Sequence, residues 1–202
     1  MSIQSKVRRV EHLFDRLDSE ISKFQNKTNL HCISGCGKCC TKPDIEASPL
    51  EFLPWAFHLF LNGMAQKTLD ELNNSTNSFC HIYQPLSLLE NHNGSCGNYK
   101  YRGLICRLFG FGANKDKYGQ LRLITCKIIK ESQGVELKNA DEAINKKLKV
   151  PVFTDYYMKL NQIDFRLGNT FLPINEALKI AIEEVLHYYN YRPFPRGFKN
   201  AS

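Results

Sequence analysis

Four of the chain's eight cysteines lie within ten residues, in the segment HCISGCGKCC at positions 31–40. Thiolates crowded this closely bind a metal or form disulfides, and the two glycines among them let the backbone fold around something small. Cys36 and Cys39 have the two-residue gap of a zinc knuckle, in which a tight turn directs both sulfurs at one ion. Cys32 and Cys36 are four residues apart, so a helical turn would place them on one side. The segment therefore predicts a cysteine-ligated metal site.

The remaining cysteines, Cys80, Cys96, Cys106 and Cys126, are spread along the next part of the chain. Thiolate is a soft ligand that suits zinc, copper(I) and iron–sulfur clusters. Consecutive side chains tend to point apart, so we expect Cys40 to serve a second ion or to bridge two. Eight cysteines suffice for two four-sulfur sites, for one iron–sulfur cluster with spare thiols, or for a sulfur-bridged pair of metals. The spacing does not choose among these arrangements.

The cysteines could instead be buried and inert, or histidines could replace some of them as ligands. Free cysteine is commonly buried and inert, but chance burial would not concentrate four thiols and two glycines in one short segment. His31, His81 and His92 lie close to cysteines and could replace a thiolate as imidazole ligands. For each of them an ordinary surface histidine is the favoured interpretation.

Composition sets the broad class of the protein. A chain of 202 residues with 43% hydrophobic content predicts a single domain over 1–202 with a substantial core. The charged N-terminus lacks the apolar segment of a signal peptide, and no stretch approaches the ~20 apolar residues of a membrane span. We therefore expect a cytoplasmic protein, and in a reducing compartment dense cysteines favour metal binding over disulfides.

The net charge of +7 raises the alternative of a basic interaction protein. Lysines and arginines are scattered along the whole chain, which argues against nucleic acid as the main partner. The basic, aromatic tail at 191–202 is the best candidate for such a contact, through Arg192, Arg196 and Lys199. Binding of that kind would weaken steeply with salt. An unknown protein partner and the oligomeric state stay open.

The apolar pattern places helices on both sides of the cysteines. An N-terminal amphipathic helix is predicted within 1–26, and the capping box formed by Ser48 and Glu51 predicts a helix over 49–61 that ends near Gly63. A second cap signature at Thr68 predicts a shorter helical turn, followed by a polar loop at 73–77.

The second half of the chain is predicted to be a hairpin followed by helices. Segments 104–111 and 120–129 favour strands joined by a polar turn, with Cys106 on one arm and Cys126 on the other. A helical C-terminal part over 139–190 comprises the segments 139–148, 154–167 and 174–189. The predicted fold class is α+β, mainly helical, with helices around a cysteine-rich metal-binding centre in region 32–126 and a small antiparallel β-hairpin.

The spacing Cys32-x3-Cys36-x2-Cys39-Cys40 resembles the opening signature of the YkgJ-type cysteine-cluster family of zinc- or iron-chelating domains. The second half of that signature has a cysteine, a gap, then a cysteine, a tyrosine, an arginine–proline pair and a final cysteine–arginine pair. It is matched here by Cys80 and by the segment CGNYKYRGLICR at 96–107. Gly103 stands in place of the usual proline, which loosens the turn before the last cysteine without removing a ligand. The resemblance covers nearly half of the chain.

This resemblance implies a metal-binding protein that chelates zinc or iron through a composite cluster of eight cysteines, namely Cys32, Cys36, Cys39, Cys40, Cys80, Cys96, Cys106 and Cys126. Flagellin lysine methylases are similar over the cysteine motif, and that relation implies an alternative: an iron–sulfur-dependent redox or protein-lysine methyl-transfer enzyme. The opening spacing also occurs in radical S-adenosylmethionine enzymes. This chain has too few alternating strands and helices for their partial β/α barrel.

Three residues accompany the cysteines within the second motif. Tyr99 and Arg107 are predicted to contact the bound metal centre from outside its ligands, because arginine offers hydrogen bonds and positive charge to electron-rich thiolates. For Arg102, ordinary surface salt bridging is the favoured interpretation.

Overall fold

The computed structural model describes residues 1–86 and 94–195, and it is 55% helical. The helices are α1 (Ile3–Thr28), α2 (Pro49–Leu61), α3 (Ala65–Asn74), α4 (Leu104–Leu108), α5 (Lys127–Ser132), α6 (Gly134–Asn145), α7 (Phe153–Asn161), α8 (Phe165–Gly168) and α9 (Ile174–Tyr189). The strands are β1 (Glu46–Ala47), β2 (Tyr83–Pro85), β3 (Gly94–Cys96), β4 (Ala113–Lys115), β5 (Leu121–Leu123) and β6 (Leu172–Pro173). A 3₁₀ turn spans Tyr99–Tyr101. The predicted class, mainly helical α+β, is confirmed.

The strands form three separate antiparallel pairs rather than one sheet. β1 pairs with β6, so Ala47 lies opposite Leu172, and β2 pairs with β3, so Tyr83 lies opposite Cys96. β4 pairs with β5 in a hairpin. Pairs this short have too little buried surface to be stable alone, so the helices must hold them in place.

The core lies where α2 packs against α9 on one side and against α1 on the other. The amphipathic faces predicted for the first and last helices supply much of it, and both helices are confirmed. The buried side chains of α1 recur every three or four residues, as in Val7, Val10, Phe14, Leu17 and Ile21. α2 is apolar nearly all round, as expected for a helix covered on two faces.

The capping box predicted at the start of α2 is confirmed and has a further role. The Ser48 N–H donates to Glu51 Oε1 at 2.9 Å, which satisfies a free donor at the helix start. The other carboxylate oxygen, Oε2, accepts the backbone N–H of Ile105 at 2.9 Å. Burial raises the pKa of this fully buried carboxyl group. The cap of α2 therefore also fixes the first turn of α4, next to Cys106.

The hairpin predicted over 104–111 and 120–129 is wrong at its first arm. Leu104–Leu108 is the helix α4, and the true hairpin is limited to Ala113–Lys115 paired with Leu121–Leu123. A strand through this region is interrupted because Gly110 adopts φ 97° and the Phe109 N–H bonds back to Ile105 at 3.0 Å. Neither Cys106 nor Cys126 lies in a strand: Cys106 is within α4, and Cys126 precedes α5.

Three helix boundaries differ from the predictions. α3 begins at Ala65 rather than near Thr68 and continues through Asn74, into the predicted polar loop. α6 begins at Gly134, several residues before the predicted start. The helix predicted over 154–167 divides into α7 and α8, because the Asp164 carboxylate accepts the Leu167 N–H at 3.0 Å and begins a new helix.

The C-terminal arm is described as far as residue 195. Phe194 stacks on Phe60 of α2, with 5.5 Å between ring centroids, so this part of the tail packs against the helices. Two of the basic residues predicted for a nucleic-acid contact, Arg196 and Lys199, and the candidate ligand His92 lie outside the described residues. Within the described ranges, no helix has the length and apolar character needed to cross a membrane.

Candidate metal centre

The segment at 31–40 forms two consecutive tight turns. The Cys36 N–H donates to the Ile33 carbonyl at 3.3 Å, and the Cys40 N–H donates to the Gly37 carbonyl at 2.9 Å. Gly37 takes a positive φ of 57°, and a Cβ there would lie 2.7 Å from the ring of Tyr83. Glycine is therefore required both for the turn and for the close approach of β2.

A buried glutamine joins this turn to the segment that carries Cys126. The Gln133 side chain accepts the His31 N–H at 2.9 Å and donates to the His31 carbonyl at 2.7 Å. Cys126 is the N-cap of α5, and its Sγ accepts the Ile129 N–H at 3.4 Å. The amide clamp brings Cys32 and Cys126 into one neighbourhood although they are far apart in sequence.

Cys80 is held against the turn by main-chain contacts. Its N–H donates to the Cys40 carbonyl at 2.9 Å, and its own carbonyl accepts the Tyr83 N–H at 2.9 Å. The loop is also clipped by α9, where the Asn175 side chain accepts the His81 N–H at 2.9 Å and donates to the Phe79 carbonyl at 2.8 Å.

Cys96 and Cys106 reach the same region from β3 and α4. The pairing of β2 with β3 sets Cys96 opposite Tyr83, and the Gly94 N–H donates to the Gly35 carbonyl at 2.9 Å. Cys106 packs against the core beside the buried carboxyl group of Glu51. Desolvation raises the pKa of the Cys106 thiol, and the neighbouring Cys80 and Glu51 raise it further.

The thiols interact electrostatically with one another across these elements. A side-chain hydrogen bond between Cys39 and Cys40 lowers the pKa of Cys39 and raises that of Cys40. Burial raises the pKa of Cys80 to about 11, and Cys96 and Cys39 also act on it. All eight cysteines are free thiols, and their joint role as metal ligands stays a prediction.

The thiols are neighbours, but they are not drawn together around one point. Across 1–86 and 94–195, no three histidine, cysteine, aspartate or glutamate side chains form a group that could hold a metal ion as they stand. The donor set nevertheless fits a soft metal, because every cysteine is free of disulfides and its thiolate, once deprotonated, is a soft ligand. The Tyr83 hydroxyl and the Arg102 Nε are buried, and neither has a hydrogen-bond partner among the described residues. Both can donate, and thiolate is a suitable acceptor.

Gly103, which replaces the family's usual proline, lies tight against α2. A Cβ at this position would fall 2.9 Å from Glu51 Oε2 and 2.9 Å from Phe52 Cζ. Its φ of −65° is one that proline can adopt, so the backbone conformation itself does not require glycine. The residue must be glycine because Glu51 occupies the space that a Cβ would need.

The two arginines of the second motif have different surroundings. Arg107 is buried: its guanidinium pairs with Asp18 of α1, and its Nη2 donates to the Lys100 carbonyl at 2.6 Å. The same group lies 4.6 Å from the Phe14 ring centroid. The guanidinium of Arg107 thus contacts α1, and its charge also favours the thiolate form of Cys96. Its predicted contact with a bound metal centre stays a prediction.

For Arg102, the sequence favoured an ordinary surface salt bridge. Its Nη1 donates to the Tyr99 hydroxyl at 2.6 Å, and its guanidinium lies 4.0 Å from the Tyr99 ring centroid. Its positive charge favours the thiolate forms of Cys32, Cys39 and Cys96. In the sequence, the sign of this role was the position of Arg102 between Cys96 and Cys106. An arginine that acts on thiolates would be expected at such a position.

The described histidines have other contacts. The exposed His31 has its Nδ1 3.0 Å from the Asn29 carbonyl oxygen. His81 Nε2 lies 3.7 Å from a Glu71 carboxylate oxygen, and its ring meets the edge of Trp55. The His31 contact leaves its Nε2 available, so the interpretation of both residues as ordinary surface histidines stays a prediction.

Comparison with known families identifies the cysteine-bearing region. Residues 31–127 match the model of the CxxCxxCC family, described as "Putative zinc- or iron-chelating domain". This match confirms the resemblance to the cysteine-cluster family predicted from the cysteine spacing, and it includes all eight cysteines. Searches of curated proteins and of solved structures each found no match.

Proposed function

We propose that this protein binds zinc or iron through a composite cluster of its eight cysteines. The observation that carries the proposal is that all eight cysteines are free thiols and lie within the segment 31–127 that matches the chelating family. The family description supports chelation of one of these two metals.

The chain's own residues supply the ligands and part of the charge balance. Thiols must lose their protons before they bind a metal, so binding releases protons and strengthens as the pH rises. Raised thiol pKa values, such as that of Cys80, mean that binding competes with retained protons at neutral pH. Arg102 opposes this effect, because its charge favours thiolate at three of the cysteines. When bound, the metal would supply Lewis acidity or, for iron, electron transfer.

An iron–sulfur form of the centre, with a redox or methyl-transfer activity, is the second candidate. The observation that favours it is the presence of two buried donors that have no hydrogen-bond partner within 1–86 and 94–195, the Tyr83 hydroxyl and the Arg102 Nε. Hydrogen bonds to cluster sulfurs are one way in which proteins set the potential of such clusters.

The test is anaerobic purification of the full chain, followed by metal analysis and an absorption spectrum. We expect stoichiometric zinc or iron, and a lower metal content in the C39S and C40S variants because each removes a thiolate. M158S, at an exposed position on α7, is the matched control and should keep its metal.

Two results would contradict the proposal. Metal-free protein, or an unchanged metal content in both cysteine variants, would show that these thiols do not bind the metal. Iron with acid-labile sulfide and visible charge-transfer absorption would select the iron–sulfur form, whereas colourless protein with stoichiometric zinc would exclude it.

A further inference from the structure

Glu51 is buried more deeply than a helix cap requires. A capping box uses this side chain to accept the N–H of the N-cap residue, which here is Ser48. In this protein the whole glutamate is covered, with 0% of it exposed to solvent. A carboxylate is costly to bury because it loses its hydration, and only hydrogen-bond donors can offset that loss. The depth of Glu51 therefore points to partners beyond the cap.

Both oxygens of the Glu51 carboxylate have donors. Oε1 accepts the Ser48 N–H at 2.9 Å and the Ser48 hydroxyl at 3.2 Å. Oε2 accepts the Ile105 N–H at 2.9 Å. The hydroxyl of Tyr157, on α7, donates to the same carboxylate. Glu51 thus joins the start of α2 to the start of α4 and to α7.

The Ile105 N–H needs an acceptor from outside its own helix. Ile105 is the second residue of α4, and the first N–H groups of a helix have no partner within it. The Arg107 N–H, further along, already bonds to the Gly103 carbonyl at 3.1 Å. Glu51 supplies the acceptor that α4 lacks, one residue before the predicted ligand Cys106.

Gly103 leaves the space in which the Glu51 carboxylate lies. A Cβ at this position would fall 2.9 Å from Glu51 Oε2, the oxygen that accepts the Ile105 N–H. It would also fall 2.9 Å from Phe52 Cζ, so neither neighbour could stay where it is. A larger residue at 103 would therefore displace the carboxylate without changing its charge.

We infer that Glu51 is a positioning residue for the predicted metal ligand Cys106, because its Oε2 fixes the turn of α4 that carries this thiol. The inference rests on the proposed function and adds to it a residue that is not a cysteine. Groups that orient metal ligands from outside typically change the metal affinity by about 10–100-fold when they are removed.

The charge of Glu51 acts in the opposite direction to its hydrogen bond. Desolvation, Cys80 and Glu51 all raise the pKa of the Cys106 thiol, which must lose its proton to bind a metal. Removing only a negative charge would therefore strengthen metal binding, whereas losing the bond to Ile105 would weaken it. The sign of the change in affinity separates the two effects.

The test compares E51Q and G103A with S48A, in reduced, metal-free, full-length protein under anaerobic conditions. Glutamine has one acceptor oxygen and one NH2 group, so it cannot accept hydrogen bonds on both sides as Glu51 does. G103A keeps the charge and displaces Oε2. S48A is the matched control, because it removes a hydroxyl from the same carboxylate and leaves the Ile105 bond in place.

Two measurements follow the position of α4 and the metal separately. In the metal-free protein, the Ile105 amide should exchange with solvent about tenfold faster in E51Q and G103A than in the wild type. The affinity for Zn²⁺, measured by competition with a chromogenic chelator, should fall about tenfold in both variants. S48A should match the wild type in both measurements. Circular dichroism should first show that each variant is folded, and G103A gives the answer if E51Q is not.

Three results would overturn the inference while leaving metal binding intact. Zinc binding in E51Q as tight as in the wild type, or tighter, would show that the charge of Glu51 outweighs its position. Faster Ile105 exchange in G103A with unchanged zinc affinity would limit Glu51 to a role in the fold. An equal loss of affinity in S48A would assign the effect to the cap of α2. A wild type that takes up no zinc would instead contradict the proposed function itself.

Discussion

Arg102 and Arg107 are five positions apart and both pair with Asp18, but their other contacts differ. The guanidinium of Arg107 is buried among Asp18, Phe14 and main-chain carbonyls. That of Arg102 contacts Tyr99, and its charge reaches the thiols. The sequence motif contains both arginines, but it does not show which residues each guanidinium contacts.

We predict that R102Q weakens metal binding while R107Q weakens the fold. Losing the charge of Arg102 should lower metal affinity about tenfold, since roughly one pKa unit of thiolate stabilisation corresponds to that factor. Losing Arg107 should reduce the free energy of unfolding by about 2–4 kcal/mol, because its charged hydrogen bonds are buried. Competition with a chromogenic chelator measures the first effect, and urea unfolding measures the second.

Arg122 offers the matched control, because it is half-exposed and pairs with Asp116 on the hairpin. R122Q should leave both quantities close to those of the wild type. Equal metal affinity in R102Q and the wild type would assign Arg102 a purely structural role.

Among the elements, α1, α8 and α9 are joined by one network of charged groups. Lys6 Nζ lies 2.6 Å from an Asp164 carboxylate oxygen and 3.7 Å from one of Glu184, and Arg166 pairs with the same glutamate at 2.6 Å. Burial opposes ionisation of Asp164, but the Leu167 N–H and the Lys6 ammonium outweigh it and hold its pKa below the ordinary range. The network ties the first helix to the last.

We predict that D164N lowers the free energy of unfolding at pH 7 by about 1 kcal/mol, a typical value for a partly exposed pair. A carboxyl group whose folded-state pKa is depressed stabilises the fold above its unfolded pKa, and the contribution disappears as the pH falls through the folded value. The difference between wild type and D164N should therefore close below about pH 4. Urea unfolding across pH 3–7 measures it, with D44N at an exposed position as the control.

The elements also show which features the sequence could predict. The long helices and the capping box at Ser48 were predictable, because they depend on local periodicity and a short-range hydrogen bond. The helix at 104–108 was not, because its apolar run matches a strand as well as a buried helix, and a Glu51 carboxylate from another element completes its first turn. A distant partner of this kind is invisible in the local pattern.

For the molecule as a whole, the buried core is built mainly from aliphatic and aromatic side chains of α1, α2 and α9. Cys80 belongs to this core, and four further cysteines pack against it, so we expect the core packing to depend little on a metal. The spacing of the cysteines in the sequence identifies the eight candidate ligands. It does not identify the residues that contact the cysteine loops. Gln133 lies between α5 and α6 and Asn175 lies in α9, and the local sequence around each gives no sign that it contacts a cysteine loop.

We predict that removing the metal loosens the cysteine loops and leaves the helical core folded. Amide hydrogen exchange at Cys80 and Gly94, whose N–H groups bond to the 31–40 turn, should accelerate at least tenfold. Amides of α2 and α9 should keep their protection, and far-UV circular dichroism should change little. A parallel loss of protection in α9 would show instead that the metal holds the entire fold.

The hydrogen bonds between the Asn175 side chain and the Cys80 loop have a consequence for biosynthesis. The Asn175 amide bonds to the loop from a helix that is made almost a hundred residues later. Gln133 likewise follows the last cysteine before it reaches back to His31. A nascent chain that ends just after the eighth cysteine therefore still lacks the hydrogen bonds of both Gln133 and Asn175. Translation must pass Asn175 before its hydrogen bonds to the Cys80 loop can form, so all the candidate ligands are made before this contact.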